Sequence, residues 1–310
     1  MVRANIRLSS WNLRYDSKPD NITVSHTIAN LKSPLVQPNP YNCNPVELPW
    51  STRRTYVSST LLHERVQLIG FQEALIRQVN DLQVLLSNEW AGEYSPIFFR
   101  KSVFNLIDSD TFWLTDTPFK PSKYRGAGSY RVCTVAHLEI LATGQRFTLL
   151  NTHLDDQSDA QRRLGASLIL HRAHYEAVKT KRPVLVTGDF NSSPNGSDSG
   201  AYQITTGGIN PAAIPSSFTQ KYPILSDHGP KFTEQDLKAH VPRQHISGDF
   251  ATFTGFTQPN NTWAYNRIDF IFGSSRGGWD ATSYRVGSSF TDDGVWASDH
   301  RPVYVDVTLT

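Results

Sequence analysis

Short apolar and β-branched runs that end in polar side chains recur along the chain, and this pattern most limits the possible fold. The run PVLVTGDF, residues 183–190, is followed at once by Asn191 and then by Ser and Pro. Runs of this kind, bounded by turn residues, are typical of buried strands. The predicted strands are NIRLSSW, VQLIGFQ, SPIFF, DTFWL, VCTVAHLEIL, RFTLLNTHL, PVLVTGDF, ATFTGF, RIDFIF and PVYVDVTL.

Three helices are predicted between these strands. One begins near Ser51, a second carries a leucine and valine stripe over residues 75–86, and a third begins at Ser158, where Ser-Asp-Ala-Gln resembles a capping box. Residues 16–50 and 192–245 lack periodicity and are predicted as loop insertions in a single domain of residues 1–310. Many strands with few helices predict sheets that pack together and are covered by helices.

Composition excludes several classes of protein. The chain has 30 Lys and Arg against 28 Asp and Glu and no dense basic block, so a basic tract for non-specific polyanion binding is absent from the sequence. Cys43 and Cys133 cannot form a disulfide scaffold, and two free thiols are favoured over one bridge. No apolar run is long enough for a signal peptide or a membrane span, so we expect an intracellular, cytoplasmic monomer with no membrane partner.

Six of the strand-like runs or the segments beside them carry carboxylates, carboxamides or imidazoles. A single polar residue of this kind is usually a turn or a helix cap, but six are difficult to attribute to turns alone. Hard oxygen ligands with histidine and no thiolate cluster suit Mg²⁺ or Mn²⁺ better than a structural zinc ion. The residues in question are Asn12, Glu73, His153, Asp189, Asn191, Asp269, Asp299 and His300.

The order of these motifs resembles the endonuclease/exonuclease/phosphatase superfamily, which has the DNase I-like fold. The matching motifs are Asn, Gln-Glu, Asn-Thr-His-Leu-Asp, Gly-Asp-Phe-Asn, Ile-Asp-Phe-Ile and Ser-Asp-His, and they span the chain from Trp11 to His300. FWLTDTP, residues 112–118, resembles a segment common in one uncharacterised branch of that superfamily. The resemblance implies an α/β (α+β) four-layer sandwich, with two mostly antiparallel sheets face to face, helices outside and the active site at one edge.

The same resemblance implies Mg²⁺-dependent hydrolysis of a phosphate mono- or diester by in-line attack of water, with Mn²⁺ as an alternative ion. Asp189 would orient or deprotonate the water, and His300 would be a general base or a phosphate-binding cation, with its tautomer fixed by Asp269. The residues implied at the metal are Glu73, Asp299 and Asn12, the last also contacting substrate. The remaining implied roles are positioning of water and phosphate by Asn191 and donation to a phosphoryl oxygen by His153.

Some basic and acidic residues have two interpretations. Arg131 precedes a strand and is either a bidentate phosphate clamp or a surface arginine, with similar weight. Asp156 is either a further site residue or an acidic group that precedes the third helix, and the second is favoured. Arg53 and Arg54 lie at the start of a helix, where the helix dipole disfavours cations, and a solvated helix face is favoured over a phosphate site.

Three functions are compatible with these residues. The first is a phosphoesterase that acts on a small or single-stranded phosphate ester, including sugar phosphates. The second is a DNA or RNA nuclease of the same fold, which makes nucleic acid a candidate partner. The third is a non-catalytic module that binds a phosphate ligand, which is disfavoured because each expected site position is intact.

Overall fold

The computed structural model describes residues 4–32, 46–87, 89–92, 96–225, 229–257, 263–291 and 294–310. Two mixed sheets pack face to face, and helices cover their outer faces. Most neighbouring strands are antiparallel, and three neighbouring pairs are parallel. The predicted four-layer α/β sandwich is therefore confirmed.

The first sheet has seven strands, numbered here in chain order along with those of the second sheet. In spatial order they are β10 (Ile246–Gly248), β12 (Trp279–Val286), β13 (Val303–Leu309), β1 (Asn5–Asn12), β2 (Leu68–Gln72), β4 (Ile97–Arg100) and β3 (Trp90–Gly92). β1 lies at its centre, and its last residue, Asn12, is in register with Gln72 at the end of β2. The ends of these two parallel strands therefore meet at one edge of the sheet.

The second sheet has six strands. In spatial order they are β5 (Phe104–Trp113), β6 (Val132–Ile140), β7 (Arg146–His153), β8 (Val184–Asp189), β11 (Asp269–Ser274) and β9 (Glu234–Asp236). β8 is a central strand and every residue in it is buried, in agreement with its apolar sequence. Its polar end therefore needs a partner other than bulk water.

Six α-helices occur in the described residues: α1 (Val24–Ala29), α2 (Trp50–His63), α3 (Ile76–Leu85), α4 (Asp159–Thr180), α5 (Gly200–Thr206) and α6 (Ser216–Lys221). The three predicted helices are confirmed as α2, α3 and α4. Ser158 caps α4, because its hydroxyl accepts a hydrogen bond from the Gln161 amide at 3.2 Å. Ser51 is not the cap of α2, since that helix already begins at Trp50 after Pro49.

The prediction of a strand at ATFTGF is wrong. This segment makes only isolated bridges, from Phe253 to Asn266 and to His300. Strand β12 was not predicted, because it alternates buried and exposed residues irregularly and contains polar ones. Residues 192–245 contain α5, α6 and β9, which are too short to show a helical or strand period, and α1 lies within residues 16–50.

The space between the sheets is apolar for most of its length and becomes polar towards one end. Leu8, Leu149, Leu185 and Val305 belong to the apolar part. At the polar end, which we call the inter-sheet seam, the Asn151 Oδ1 atom accepts hydrogen bonds from Gln72 Nε2 at 2.8 Å and Thr187 Oγ1 at 3.0 Å, and Asn151 Nδ2 donates to the Phe71 carbonyl at 2.7 Å. These bonds join the two sheets directly.

Two further expectations concern cysteine and membranes. Cys133 is a buried free thiol, and Cys43 lies outside the described residues. Across the described ranges, no helix has both the length and the apolar character needed to cross a bilayer.

Candidate active site

Three polar residues of the second sheet are adjacent because their strands are in register. Asp189 ends β8, and its register partners are His153 on the parallel strand β7 and Asp269 on the antiparallel strand β11. Register partners point to the same face of a sheet, so the three side chains lie side by side. His153 Nε2 is 3.4 Å from Asp189 Oδ2. Asp189 and Asp269 are buried, as the burial of their strands requires.

His300 completes this group from the segment that precedes β13. Its Nδ1 atom is 2.9 Å from Asp269 Oδ2, and its Nε2 atom is 3.6 Å from Asp189 Oδ2. The imidazole is therefore held between two carboxylates. Asp189, Asp269 and His300 each offer one ligand atom within 4.8 Å of the others, so this buried group could hold a metal ion.

The charges of this group perturb one another strongly. Burial alone would lower the pKa of His300, but the negative charges of Asp269 and Asp189 raise it to about 10. Burial, with the charge of Asp269, raises the pKa of Asp189. Burial, with the positive charges of Arg131 and His300, lowers the pKa of His153 well below its ordinary value. His300 is therefore the charged imidazole of the pair and His153 the neutral one.

Asn191 reaches the site through a tight turn. It has a φ of 45°, and its backbone amide donates to Asp189 Oδ1 at 2.9 Å. The turn after β8 therefore places the Asn191 backbone amide against the Asp189 carboxylate. Phe190 between them is buried in the core. Asn191 Nδ2 is 3.1 Å from His153 Nε2 and donates to the Leu154 carbonyl at 3.0 Å.

The first sheet contributes Asn12 and Glu73. Asn12 Nδ2 donates to Asp189 Oδ2 at 2.9 Å and to Glu73 Oε1 at 3.2 Å, so it links the two sheets within the site. Glu73 follows β2 with a φ of 58°, and its Oε2 atom accepts the Tyr15 amide at 3.0 Å. Asn12 Oδ1 accepts the Arg14 amide at 2.9 Å.

Asp299 is the second carboxylate at the Glu73 side of the site. It is almost completely buried, and Ser298 Oγ donates to its Oδ1 atom at 3.3 Å. Burial raises its pKa, and the negative charge of Glu73 adds to this shift. Ser298 also donates to the Asn12 carbonyl at 2.6 Å, which ties the Ser-Asp-His segment to β1. The role of Ser298 was not predicted, although its place before Asp-His was visible in the sequence.

Arg131 lies at the opposite wall and is not a plain surface residue. Its Nε atom is 3.2 Å from Asp155 Oδ2, and its Nη2 atom is 2.7 Å from Asp156 Oδ1. Asp155 also accepts the amides of Gly128 and Ser129, so it fixes the loop that precedes Arg131. This anchoring role of Asp155 was not predicted. Asp156, which we interpreted as an acidic group before the third helix, pairs with Arg131 and lines the site.

Arg53 and Arg54 correct an expectation. Both are fully buried, so a solvated helix face is wrong. Arg54 bonds to Asp81 Oδ2 and to the carbonyl of Thr23. Arg53 binds backbone carbonyls beside the site. Guanidinium groups satisfy several carbonyls at once, which makes burial tolerable even at a helix start.

These groups surround one pocket of about 800 Å³. Asn12 and Asp269 lie directly behind its wall, hydrogen-bonded to Asp189 and His300 respectively. The predicted site residues that line it are Glu73, Arg131, His153, Asp189, Asn191, Asp299 and His300. The polar strand ends of both sheets therefore converge on one cleft. A pocket lined by carboxylates, imidazoles and arginine is a candidate catalytic site.

Comparison with known proteins gives the family. The model of the Endonuclease/Exonuclease/phosphatase family matches residues 9–300, so the chain belongs to that family. A search of curated proteins finds no match to the sequence. Members of the family include phosphatases and nucleases, and the chain is accordingly a hydrolase of this group.

Solved structures agree with the fold. An endonuclease/exonuclease/phosphatase from Bacteroides vulgatus is 25% identical, with a TM-score of 0.72 over 99% of this chain and 100% of that one. A mannosyl-6-phosphatase from Bacteroides thetaiotaomicron is 21% identical, with a TM-score of 0.68 over 97% and 99% of the two chains. TDP2 of D. rerio, complexed with single-strand DNA product, is 15% identical, with a TM-score of 0.56 over 98% and 99%.

Proposed function

We propose that the chain is a phosphoesterase that depends on Mg²⁺ or Mn²⁺ and hydrolyses a phosphate mono- or diester by in-line attack of water. The observation that supports this most directly is the convergence of polar strand ends from both sheets around Asp189. A buried carboxylate that contacts a carboxamide and lies beside two imidazoles suits hydrolysis better than simple binding.

Glu73 and Asp299 fit a divalent cation. They are carboxylates on one side of the pocket, and their mutual repulsion contributes to the raised pKa of Asp299. A cation between such groups would remove that repulsion, and hard oxygen ligands match Mg²⁺. Asn12 donates a hydrogen bond to Glu73, so it would orient the Glu73 carboxylate or offer its own side-chain oxygen to the ion. When bound, the ion would stabilise negative charge on the phosphoryl oxygens.

The residues of the second sheet would handle the water and the phosphate. Asp189 and Asn191 would orient the attacking water, and Asp189 would accept its proton. His300, held between two carboxylates, would act as the cation that binds the phosphoryl group, with Asp269 fixing its ring. This arrangement favours a cationic over a basic role for His300.

His153 and Arg131 would complete phosphate binding. His153 would donate to a phosphoryl oxygen once substrate displaces its contact with Asn191. Within the described residues, Arg131 uses Nε and Nη2 for Asp155 and Asp156, which leaves Nη1 for phosphate. A guanidinium fixed in this way needs little reorganisation on binding.

The pocket favours a small or single-stranded ester over duplex DNA. Its two described arginines, Arg14 and Arg131, are both paired with carboxylates, Arg14 with Glu47 at 3.2 Å. Such pairing leaves little net positive charge for a long polyanion. The mannosyl-6-phosphatase and TDP2 indicate a sugar phosphate and single-stranded DNA as two candidate substrates to test.

The experiment is a side-by-side hydrolysis assay with Mg²⁺, Mn²⁺ or EDTA. The substrates are a chromogenic monoester, a chromogenic diester, a hexose 6-phosphate, a single-stranded oligonucleotide and plasmid DNA. Asp189→Ala is the inactive control, and it should abolish any true turnover because the residue lies at the centre of the site.

We expect metal-dependent turnover of at least one small ester while the plasmid stays intact. Nicked plasmid or a shortened oligonucleotide, absent with Asp189→Ala, would make the chain a nuclease instead. Turnover that persists in EDTA would contradict the metal requirement. No turnover of any substrate, together with phosphate binding in calorimetry, would favour the non-catalytic module.

A further inference from the structure

Arg53 uses its whole guanidinium on backbone carbonyls beside the site. Its Nη1 atom donates to the carbonyls of Leu13 at 2.7 Å and Ala297 at 2.8 Å. Its Nη2 atom donates to the carbonyls of Arg14 at 3.1 Å and Tyr15 at 3.3 Å, and Nε donates to Leu48 at 3.0 Å. A guanidinium has five N–H donors, and these five hydrogen bonds use all of them.

Three of the carbonyl groups, those of Leu13, Arg14 and Tyr15, belong to the loop that follows β1. In this loop the Arg14 amide donates to Asn12 Oδ1, and the Tyr15 amide donates to Glu73 Oε2. The Leu13 carbonyl and the Arg14 amide belong to one peptide group, and the Arg14 carbonyl and the Tyr15 amide to the next. Arg53 therefore holds the two peptide groups whose N–H donors orient Asn12 and Glu73. The left-handed φ of 56° at Arg14 shows that the loop takes a conformation that needs such support.

The Ala297 carbonyl lies two residues before Asp299. Arg53 Nη1 binds it together with the Leu13 carbonyl, so one nitrogen joins the end of β1 to the segment that carries Asp299. No carboxylate in the described part of the chain lies within ion-pair distance of Arg53. Burial of a cation whose hydrogen bonds all go to backbone carbonyls is costly, which points to a role beyond local packing.

We infer that Arg53 is a positioning residue that presets Asn12, Glu73 and Asp299 for a divalent cation without contacting substrate. This inference rests on the proposed function, since it assumes that these residues hold the metal. Arg54 differs in its contacts, although it is the next residue of the same helix and equally buried. It binds Asp81, Thr23 and Thr27, away from the site.

The test measures Mn²⁺ binding by calorimetry on metal-free protein without substrate. The variants are Arg53→Lys and Arg53→Met, with Arg54→Lys as the matched control for loss of a buried arginine. We expect the Arg53 variants to bind Mn²⁺ about 10- to 100-fold more weakly, as for other residues that orient metal ligands. Arg54→Lys should lower the melting temperature without changing Mn²⁺ affinity.

The outcomes separate the inference from the proposed function. A wild-type protein that binds no Mn²⁺ would refute the proposed metal site. If the wild-type protein binds Mn²⁺ and a folded Arg53 variant binds it equally tightly, the inference about Arg53 is wrong and the proposed metal site is unaffected. Hydrogen exchange supplies a test that needs no variant: the Arg14 and Tyr15 amides should exchange slowly in metal-free wild-type protein, and exchange at open-loop rates would also overturn it.

Discussion

The pair formed by Asp269 and His300 allows the sharpest test of the proposed chemistry. Asp269 is fully buried, and its Oδ2 atom is 2.9 Å from His300 Nδ1. Asp269→Asn keeps the shape of the side chain and removes its charge. If Asp269 only orients His300, the substitution should slow turnover and leave metal affinity nearly unchanged.

The magnitude follows from the kind of hydrogen bond that is lost. A hydrogen bond to a charged group contributes about 1.5–3 kcal/mol, and a neutral one about 0.5–1.5 kcal/mol. The difference of roughly 1–1.5 kcal/mol corresponds to a decrease of about 5- to 15-fold in kcat. An asparagine that turned its amide nitrogen towards His300 Nδ1 would favour the neutral imidazole over the charged one and increase this loss.

The assay combines kcat on the best small ester with Mn²⁺ affinity measured without substrate. Asp280→Asn is the matched control, because it makes the same chemical change at an exposed position on β12. Glu73→Gln serves as the reference for a lost metal ligand. Unchanged kcat in Asp269→Asn would refute the orienting role.

A loss of Mn²⁺ binding equal to that of Glu73→Gln, in a folded protein, would have a different meaning. It would place the ion between Asp189, Asp269 and His300, whose ligand atoms are close enough to hold one. The single measurement of affinity thus distinguishes the two buried groups that could hold a metal.

Three other substitutions have expected outcomes. Arg131→Lys should raise KM by about tenfold or more in steady-state kinetics, since lysine cannot keep both aspartates and bind phosphate. Gly70→Ala should cost about 1–3 kcal/mol in denaturant unfolding, because its Cβ would lie 2.2 Å from Thr187 Oγ1. Burial raises the pKa of Glu234 well above its ordinary value, so the folded chain keeps a proton that the unfolded chain releases as pH rises. Glu234→Gln should therefore stabilise the protein increasingly as the pH rises above about 5, by up to about 1.4 kcal/mol per pH unit, and a pH-independent difference in melting temperature would contradict this.

The sequence was informative where apolar runs and polar ends coincide. Strands such as β7 and β8 are buried along almost their whole length, so their runs are continuous, and their polar ends had to face a partner. Strand β12 was not predicted because the exposure of its residues varies irregularly along the strand. Strand β9 was not predicted because three residues are too few to show a period. Burial on both faces thus made the site strands the easiest ones to predict.

The supporting residues of the site could not be predicted in the same way. Arg53 and Asp155 act through backbone groups that are distant in sequence, and the residue types alone do not reveal such partners. Arginine at a helix start and aspartate before a helix both have common surface roles, so neither residue type by itself indicates a buried anchor. Only the tertiary contacts show that Arg53 is buried among carbonyls.

The division of the site between two sheets explains why the inter-sheet seam is polar. Asn12 belongs to the first sheet and Asp189 to the second, and they meet at 2.9 Å. Hydrogen bonds are more directional than apolar contacts, and here Gln72 Nε2 donates to Asn151 Oδ1 while Asn151 Nδ2 donates to the Phe71 carbonyl. The seam therefore fixes the relative position of the two half-sites. Substitutions in the seam should accordingly reduce turnover through misalignment even where the protein remains folded.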